Sequence, residues 1–202
     1  MIGIVDYGVG NLFSLHSSLV RLGRESRLCS DEKSLEKADR LILPGVGAFG
    51  DAAEKLEKTG LGDAVIRQAN AGKPLLGICL GMQLLFERSL EYGEHAGLGL
   101  IEGEVRPIRE VIPADYKIPH IGWNGLRFEK ECPLFKYICE GDFVYFVHSY
   151  YAAKCAKNTV ATAEYGAPLT AAVQNKNVFG TQFHPEKSGE VGLNILRAFC
   201  EV

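Results

Sequence analysis

Residues 74–86 read PLLGICLGMQLLF, an apolar run (Pro74 to Ile78), a cysteine flanked by Gly77 and Gly81, and a helix-like stretch from Leu80 to Phe86. This order predicts a strand that turns sharply into a helix, with Cys79 at the turn. Small residues two before and two after such a nucleophile elbow let neighbouring backbone pass close to it. A cysteine placed there is aimed out of the sheet, at a helix N-terminus whose dipole and free amides favour the thiolate. The competing reading is core filler, because free cysteine is among the most buried residue types.

A second segment shifts the balance. Val178 to Glu186 reads VFGTQFHPE, with a histidine and a carboxylate two positions apart and a proline between them. The proline is expected to hold the backbone extended, so that His184 and Glu186 share a face. His184 can then take the Cys79 proton while Glu186 orients the ring, a Cys-His-Glu arrangement. Alone, HPE reads equally as a capping turn; with the elbow it points to catalysis.

Around these segments the first half alternates. Ile2 to Tyr7, Ser26 to Ser30, Arg40 to Leu43 and Pro74 to Cys79 read as strands. Helices are expected from Asn11 (Leu12, Leu15, Leu19, Leu22), around Asp51 to Lys58, and over Asp63 to Ala71. Alternation of this kind predicts a mostly parallel sheet covered by helices on both faces, with chemistry at the carboxyl ends of the strands, where Asp6, Gly45 to Gly47 and Cys79 fall. From about Gly97 the pattern changes to short β-like pieces: Lys117 to Ile121, Phe143 to Tyr151, Thr159 to Tyr165, and a hairpin of Ala171 to Gln174 with Val178 to Phe183. These are expected to extend the sheet with antiparallel strands, and Val191 to Cys200 to close the chain as a helix. No linker or repeat interrupts residues 1–202, which are read as one domain.

Bulk properties narrow the function classes. At 202 residues an α/β domain buries roughly 70% of its unfolded surface, so no staple is needed. Six cysteines, at 29, 79, 132, 139, 155 and 200, form no CxxC pair and no zinc spacing. The N-terminus lacks a basic signal-peptide flank, and reduced cytosolic thiols are expected. No apolar run reaches the roughly 20 residues that span a bilayer. A net charge of -3 without a basic stripe makes neither a nucleic acid nor an anionic membrane surface an expected partner. A small-molecule substrate is expected, with no metal and no cofactor.

Two glycine loops have alternative readings. Gly8-Val9-Gly10 resembles the start of a dinucleotide fingerprint, but the position of its third glycine is Phe13, which prevents the helix from packing behind a pyrophosphate. Leu43 to Gly50 (LPGVGAFG) is either a plain turn or a backbone that turns an amide toward the elbow. A tetrahedral intermediate needs two donors; the Leu80 amide supplies one, and Val46 or Gly47 the other.

Together, GICLGMQ and the distant HPE resemble the class I triad glutamine amidotransferases. Further stretches, DYGVGN (Asp6 to Asn11), LPGVGAFG, PHIGWN (Pro119 to Asn124), FVHSYY (Phe146 to Tyr151) and HPEKSG (His184 to Gly189), are similar to the branch that forms glutaminase subunits of imidazole glycerol phosphate synthase. The resemblance implies a flavodoxin-like α/β fold with Cys79 as nucleophile, His184 as acid and base, and Glu186 as its orienter. Gln83, Glu91, His148, Ser149 and Tyr150 would hold glutamine. It implies a partner as well, a (β/α)8-barrel cyclase forming a heterodimer with this chain and receiving its ammonia. Asn11, Trp123, Asn124 and Lys187 would contact that partner, and the Val46 peptide would gate the oxyanion site. Trp123 alone reads as core, although Gly122, Asn124 and Gly125 around it suggest an exposed turn. The rival readings are a γ-glutamyl cysteine hydrolase acting alone, a catalytically silent interaction subunit, and a paralogue feeding a different synthase.

Overall fold

The computed structural model describes residues 1–202. The first half runs β1 (Ile2–Val5), α1 (Leu12–Arg21), β2 (Ser26–Cys29), α2 (Glu32–Lys37), β3 (Arg40–Leu43), α3 (Phe49–Thr59), α4 (Leu61–Asn70), β4 (Leu75–Ile78) and a one-turn α5 (Leu80–Leu84). The second half runs β5 (Phe86–Ser89), β6 (His95–Ala96), β7 (Ile101–Pro107), β8 (His120–Gly125), β9 (Arg127–Phe128), β10 (Phe143–His148), β11 (Tyr150–Ala153), β12 (Thr159–Glu164), β13 (Pro168–Asn175), β14 (Val178–Thr181) and α6 (Gly189–Phe199).

The main sheet has the order β2-β1-β3-β4-β14-β13-β12-β9. Strands β2, β1, β3, β4 and β14 are mutually parallel, and β13, β12 and β9 continue it antiparallel. Both faces are covered, which is why the central strands are continuously apolar. In β3, Leu41 and Leu43 pack into one core with α2, α3 and α4 (Leu35, Leu56, Val65), while Ile42 joins the other core with α1 and α6 (Leu15, Leu19, Ile195, Phe199). Alternation along one strand thus serves two cores.

Local chemistry sets the helix ends. Asn11 caps α1 by accepting from the Ser14 amide, and an Asp31–Ser34 capping box starts α2. Gly60, at φ 70°, ends α3 and begins α4; the left-handed conformation is one that glycine adopts without a Cβ clash.

Several sequence expectations need correction. α2 was not anticipated, because Leu35 is its only buried residue and so no periodic stripe marks it. A separate four-stranded sheet, β11-β7-β5-β6, and the β10-β8 pair form the second half's remaining strands. The expected Phe143–Tyr151 strand breaks at Ser149 into β10 and β11, which join different sheets. The expected strand from Lys117 begins only at His120, since Pro119 has no amide to give to a ladder. Trp123 lies in β8 opposite Tyr145, not in a turn.

Candidate active site

Adjacent parallel strands β3, β4 and β14 bring three segments to one edge of the sheet. β4 ends in Cys79, β3 runs into Pro44–Gly47, and β14 leads to His184. The Cys79 amide donates to Thr181 O at 2.7 Å, which ties the elbow to the end of β14. Cys79 takes φ 54°, ψ -111°, a left-handed conformation rare for a side-chain-bearing residue. Its glycine neighbours explain how it is accommodated. A Cβ on Gly77 would lie 2.7 Å from Gly81 O, and one on Gly81 only 1.8 Å from Leu43 O. Gly45 likewise presses on the start of α5, where its Cβ would meet the Gly81 amide at 2.7 Å.

The side chains of His184 and Glu186 are both buried, with Nδ1 of the ring 2.8 Å from Oε1 of the carboxylate. The backbone between them is not extended as expected. Pro185–Lys187 forms a 3-10 turn, favoured by proline in a first helical turn, and the pair meets across that turn. The other carboxylate oxygen, Glu186 Oε2, is buried without a protein partner. β10 supports His184 from outside, since the His184 amide donates to Tyr145 O at 3.0 Å and the Tyr145 amide to Ser188 Oγ at 2.9 Å.

Burial opposes charging His184, but its interactions with the Cys79 sulfur and the Glu186 carboxylate outweigh burial and raise its pKa to about 9. The folded value lies above the ordinary 6.5. The charged ring therefore contributes stability that is fully present below about pH 6.5 and is lost as pH rises through about 9. Replacing Glu186 by glutamine removes one of these partners. An NMR titration of His184 should show a midpoint near 9 in the native chain and a lower one in E186Q, whose glutamine hydrolysis should fall about 10²- to 10³-fold. A native midpoint at or below 6.5 would contradict the assignment.

Cys79, Leu80, Val46, Gly47, Gln83, Glu91, His148, Ser149, Tyr150, His184 and Lys187 line one cavity of about 380 Å³. The structure thus brings together every candidate of the catalytic, oxyanion and substrate-binding sets except Glu186, which stands behind His184. Gln83, which also reads as a solvated helix residue, is buried. Its Nε2 donates to Tyr150 O at 3.2 Å and to Gln182 Oε1 at 3.0 Å. Glu91 accepts from the Phe49 amide at 2.6 Å, capping α3, which has no side-chain cap of its own. Burial raises the Glu91 pKa against that bond and the nearby His95. Burial also pushes His148 down to about 3, so it is a neutral imidazole.

Of the remaining candidates, Asn11 borders a small cleft with Val46, His184 and Glu186. Trp123 is 50% exposed, packed edge-on against Tyr145 at 5.9 Å, and Asn124 follows it in β8. Two site residues escaped sequence reasoning. Gln182, fully buried, places Nε2 3.7 Å from Cys79 Sγ, and the Tyr7 hydroxyl donates to Pro44 O at 2.8 Å, bracing the Gly45–Gly47 segment. Gln182 sits directly between β14 and the HPE segment, a position that was legible as a neighbour of the site but carried no chemical signature.

The sequence pattern of the family described as glutamine amidotransferase class-I matches residues 3–201. The chain belongs to this family. Among curated relatives, imidazole glycerol phosphate synthase subunit HisH of Wolinella succinogenes is 51% identical over 100% of both chains. The protein of the same name from Caldanaerobacter subterraneus is 49% identical over 100% of this chain and 98% of its own. Solved structures agree in fold. A crystal structure of a glutamine amidotransferase and a chain of PurLQS from Thermotoga maritima each give a TM-score of 0.78 at 22% identity, covering 99% of this chain and 97% of theirs. The class I amidotransferase fold that the motif resemblance implies, built on the mostly parallel sheet that the strand alternation predicts, is therefore the fold of this protein. No helix is long and apolar enough to cross a membrane.

Proposed function

We propose that this chain is the glutaminase subunit of an imidazole glycerol phosphate synthase, hydrolysing glutamine to glutamate and ammonia for histidine biosynthesis. The observation that carries this reading is the convergence of Cys79 and His184, the latter paired behind with Glu186, on a cavity that also contains Gln83, Glu91 and the His148–Tyr150 segment. Residues 1–202 act as one catalytic domain, working in the cytoplasm.

Cys79 Sγ attacks the γ-carbonyl of glutamine. The oxyanion that forms is met by the Leu80 amide and by an amide of the Val46–Gly47 segment. His184, held in orientation by Glu186, carries a proton that it gives to the departing amide nitrogen, so that ammonia leaves and a γ-glutamyl thioester remains. A water molecule then loses its proton to His184 and attacks the thioester; glutamate is released and the Cys79 sulfur regenerated. Glu91, whose carboxylate borders the cavity, suits the α-ammonium group of the substrate. A (β/α)8-barrel cyclase receives the ammonia, docking on the face that carries Asn11, Trp123, Asn124 and Lys187. The half-exposed indole of Trp123 supports this, because large aromatic rings are enriched at interface centres.

The test is glutamate release from glutamine by the chain alone and with a cognate cyclase and its nucleotide ligand. Large stimulation is expected. Substantial activity that the cyclase leaves unchanged would favour a hydrolase acting alone.

A further inference from the structure

Behind the cavity wall, four hydrogen-bond contacts run in series from the edge of β8 to the substrate pocket. Asn124 Nδ2 donates to Glu164 O at 2.9 Å, and Asn124 Oδ1 lies 2.8 Å from His120 Nε2. His120 Nδ1 lies 3.0 Å from His148 Nε2, and His148 Nδ1 lies 2.8 Å from Tyr150 O. His120 takes no part in the chemistry above, yet it is buried, with its ring stacked between Tyr165 (4.0 Å) and Phe146 (5.0 Å).

The directions of these bonds can be assigned from the ends. Tyr150 O can only accept, so His148 carries its hydrogen on Nδ1, and the neutral ring presents a lone pair on Nε2. Glu164 O can only accept, so the Asn124 amide nitrogen faces it and Oδ1 faces His120. His120 therefore stands between two acceptors. A neutral His120 ring has one hydrogen to give, either inward to His148 or outward to Asn124; the inward contact is buried and the outward one only part-buried, so the acceptor left without a donor costs less at Asn124.

We propose that His120 is a positioning residue for the glutamine pocket. Its Nδ1–H donates to His148 Nε2 and thereby fixes His148 in the Nδ1–H tautomer that holds the Tyr150 carbonyl. That carbonyl also accepts from Gln83 Nε2, which bonds to Gln182, which in turn reaches Cys79 Sγ. If His120 withdraws its hydrogen, two ring lone pairs face each other at 3.0 Å, His148 is drawn toward the other tautomer, and the Tyr150 carbonyl loses one of its two side-chain donors. The His148 tautomer stands on the geometry alone. Its consequence for glutamine rests on the proposed glutaminase reading.

Three variants of the full chain, assayed with the cyclase partner, separate this role from packing. Phenylalanine keeps the stacked ring and removes both nitrogens. An asparagine amide nitrogen lies as many bonds from Cα as Nδ1, so it can serve His148; a glutamine amide nitrogen lies as many as Nε2 and can serve only Asn124. H120F and H120Q should each lose about tenfold in kcat/KM for glutamine, with H120N recovering most of it. In parallel, ¹⁵N chemical shifts of His148 should show the Nδ1–H tautomer in the native chain and in H120N but a mixture in H120F and H120Q. H120N and H120Q behaving alike, or all three within about twofold of the native chain with His148 unchanged, would overturn the proposal. If the native chain releases no glutamate, the glutaminase reading fails, and the His148 shifts still decide the tautomer assignment.

Discussion

Replacing Cys79 by alanine should abolish glutamine-dependent synthesis in the cyclase complex, by about 10⁴-fold or more, as removal of a covalent nucleophile does in other triad enzymes. Synthesis from added ammonium salts should survive. The asymmetry follows from where the side chain sits. Cys79 is buried at the border of the cavity and the second core, but alanine keeps its Cβ and removes only the sulfur on the cavity side, so the fold should survive. The backbone turn is held by the Cys79 amide bond to Thr181 O and by the close approach of Gly77 to Gly81, both of which alanine leaves in place. The measurement is product formation in the complex from glutamine and, separately, from ammonium. Loss of both would assign Cys79 to folding or docking instead.

Replacing Gly81 by alanine should destabilise the protein by about 3 kcal/mol or more, lowering the melting temperature by roughly 6–12 °C for a chain of this size. The new Cβ would lie 1.8 Å from Leu43 O and 2.8 Å from Leu43 C, and these are backbone atoms of a strand paired with β4 on one side and β1 on the other. β3 cannot yield without breaking the sheet at its centre. Because β3 runs directly into Gly45–Gly47, surviving folded G81A should also lose activity through the displaced oxyanion segment. Gly72→Ala is the control. It has φ 93° but open space around its Cβ, so it should cost only about 1–2 kcal/mol of left-handed strain. A G81A melting point within about 2 °C of the native chain would contradict the packing account of the elbow.

Gly81 and its partner Gly77 also show what makes the site legible. PLLGICLGMQ carried the apolar strand, the spacing of the glycines and the cysteine together, and each has a separate physical reason in the structure. Gly77 and Gly81 let backbone pass, and Cys79 takes the strained turn. The spacing of HPE brings His184 and Glu186 together, but not over extended chain as the proline suggests. A 3-10 turn after Pro185, rather than extended chain, brings the ring and carboxylate to 2.8 Å. What sequence periodicity missed was short or non-local. The brief α2 and the sheet of β5, β6, β7 and β11 have too few residues to show a period, and their pairing depends on chain segments far apart; the expected helix of Leu80 to Phe86 forms but stops at Leu84, and Phe86 opens β5. Gln182, Tyr7 and His120 carry no chemical signature in the sequence around them. Their roles arise from partners 103, 37 and 28 positions away, a separation no local pattern encodes.

The central claim is that glutamine is opened through a covalent bond to Cys79. It is tested most directly by incubating the complex with glutamine, quenching in acid during turnover, and mapping the digested chain by mass spectrometry. A γ-glutamyl adduct confined to the Cys79 peptide and absent from C79A is the predicted result. Steady glutamate release with no adduct at Cys79, or with the adduct on another of the six cysteines, would contradict it.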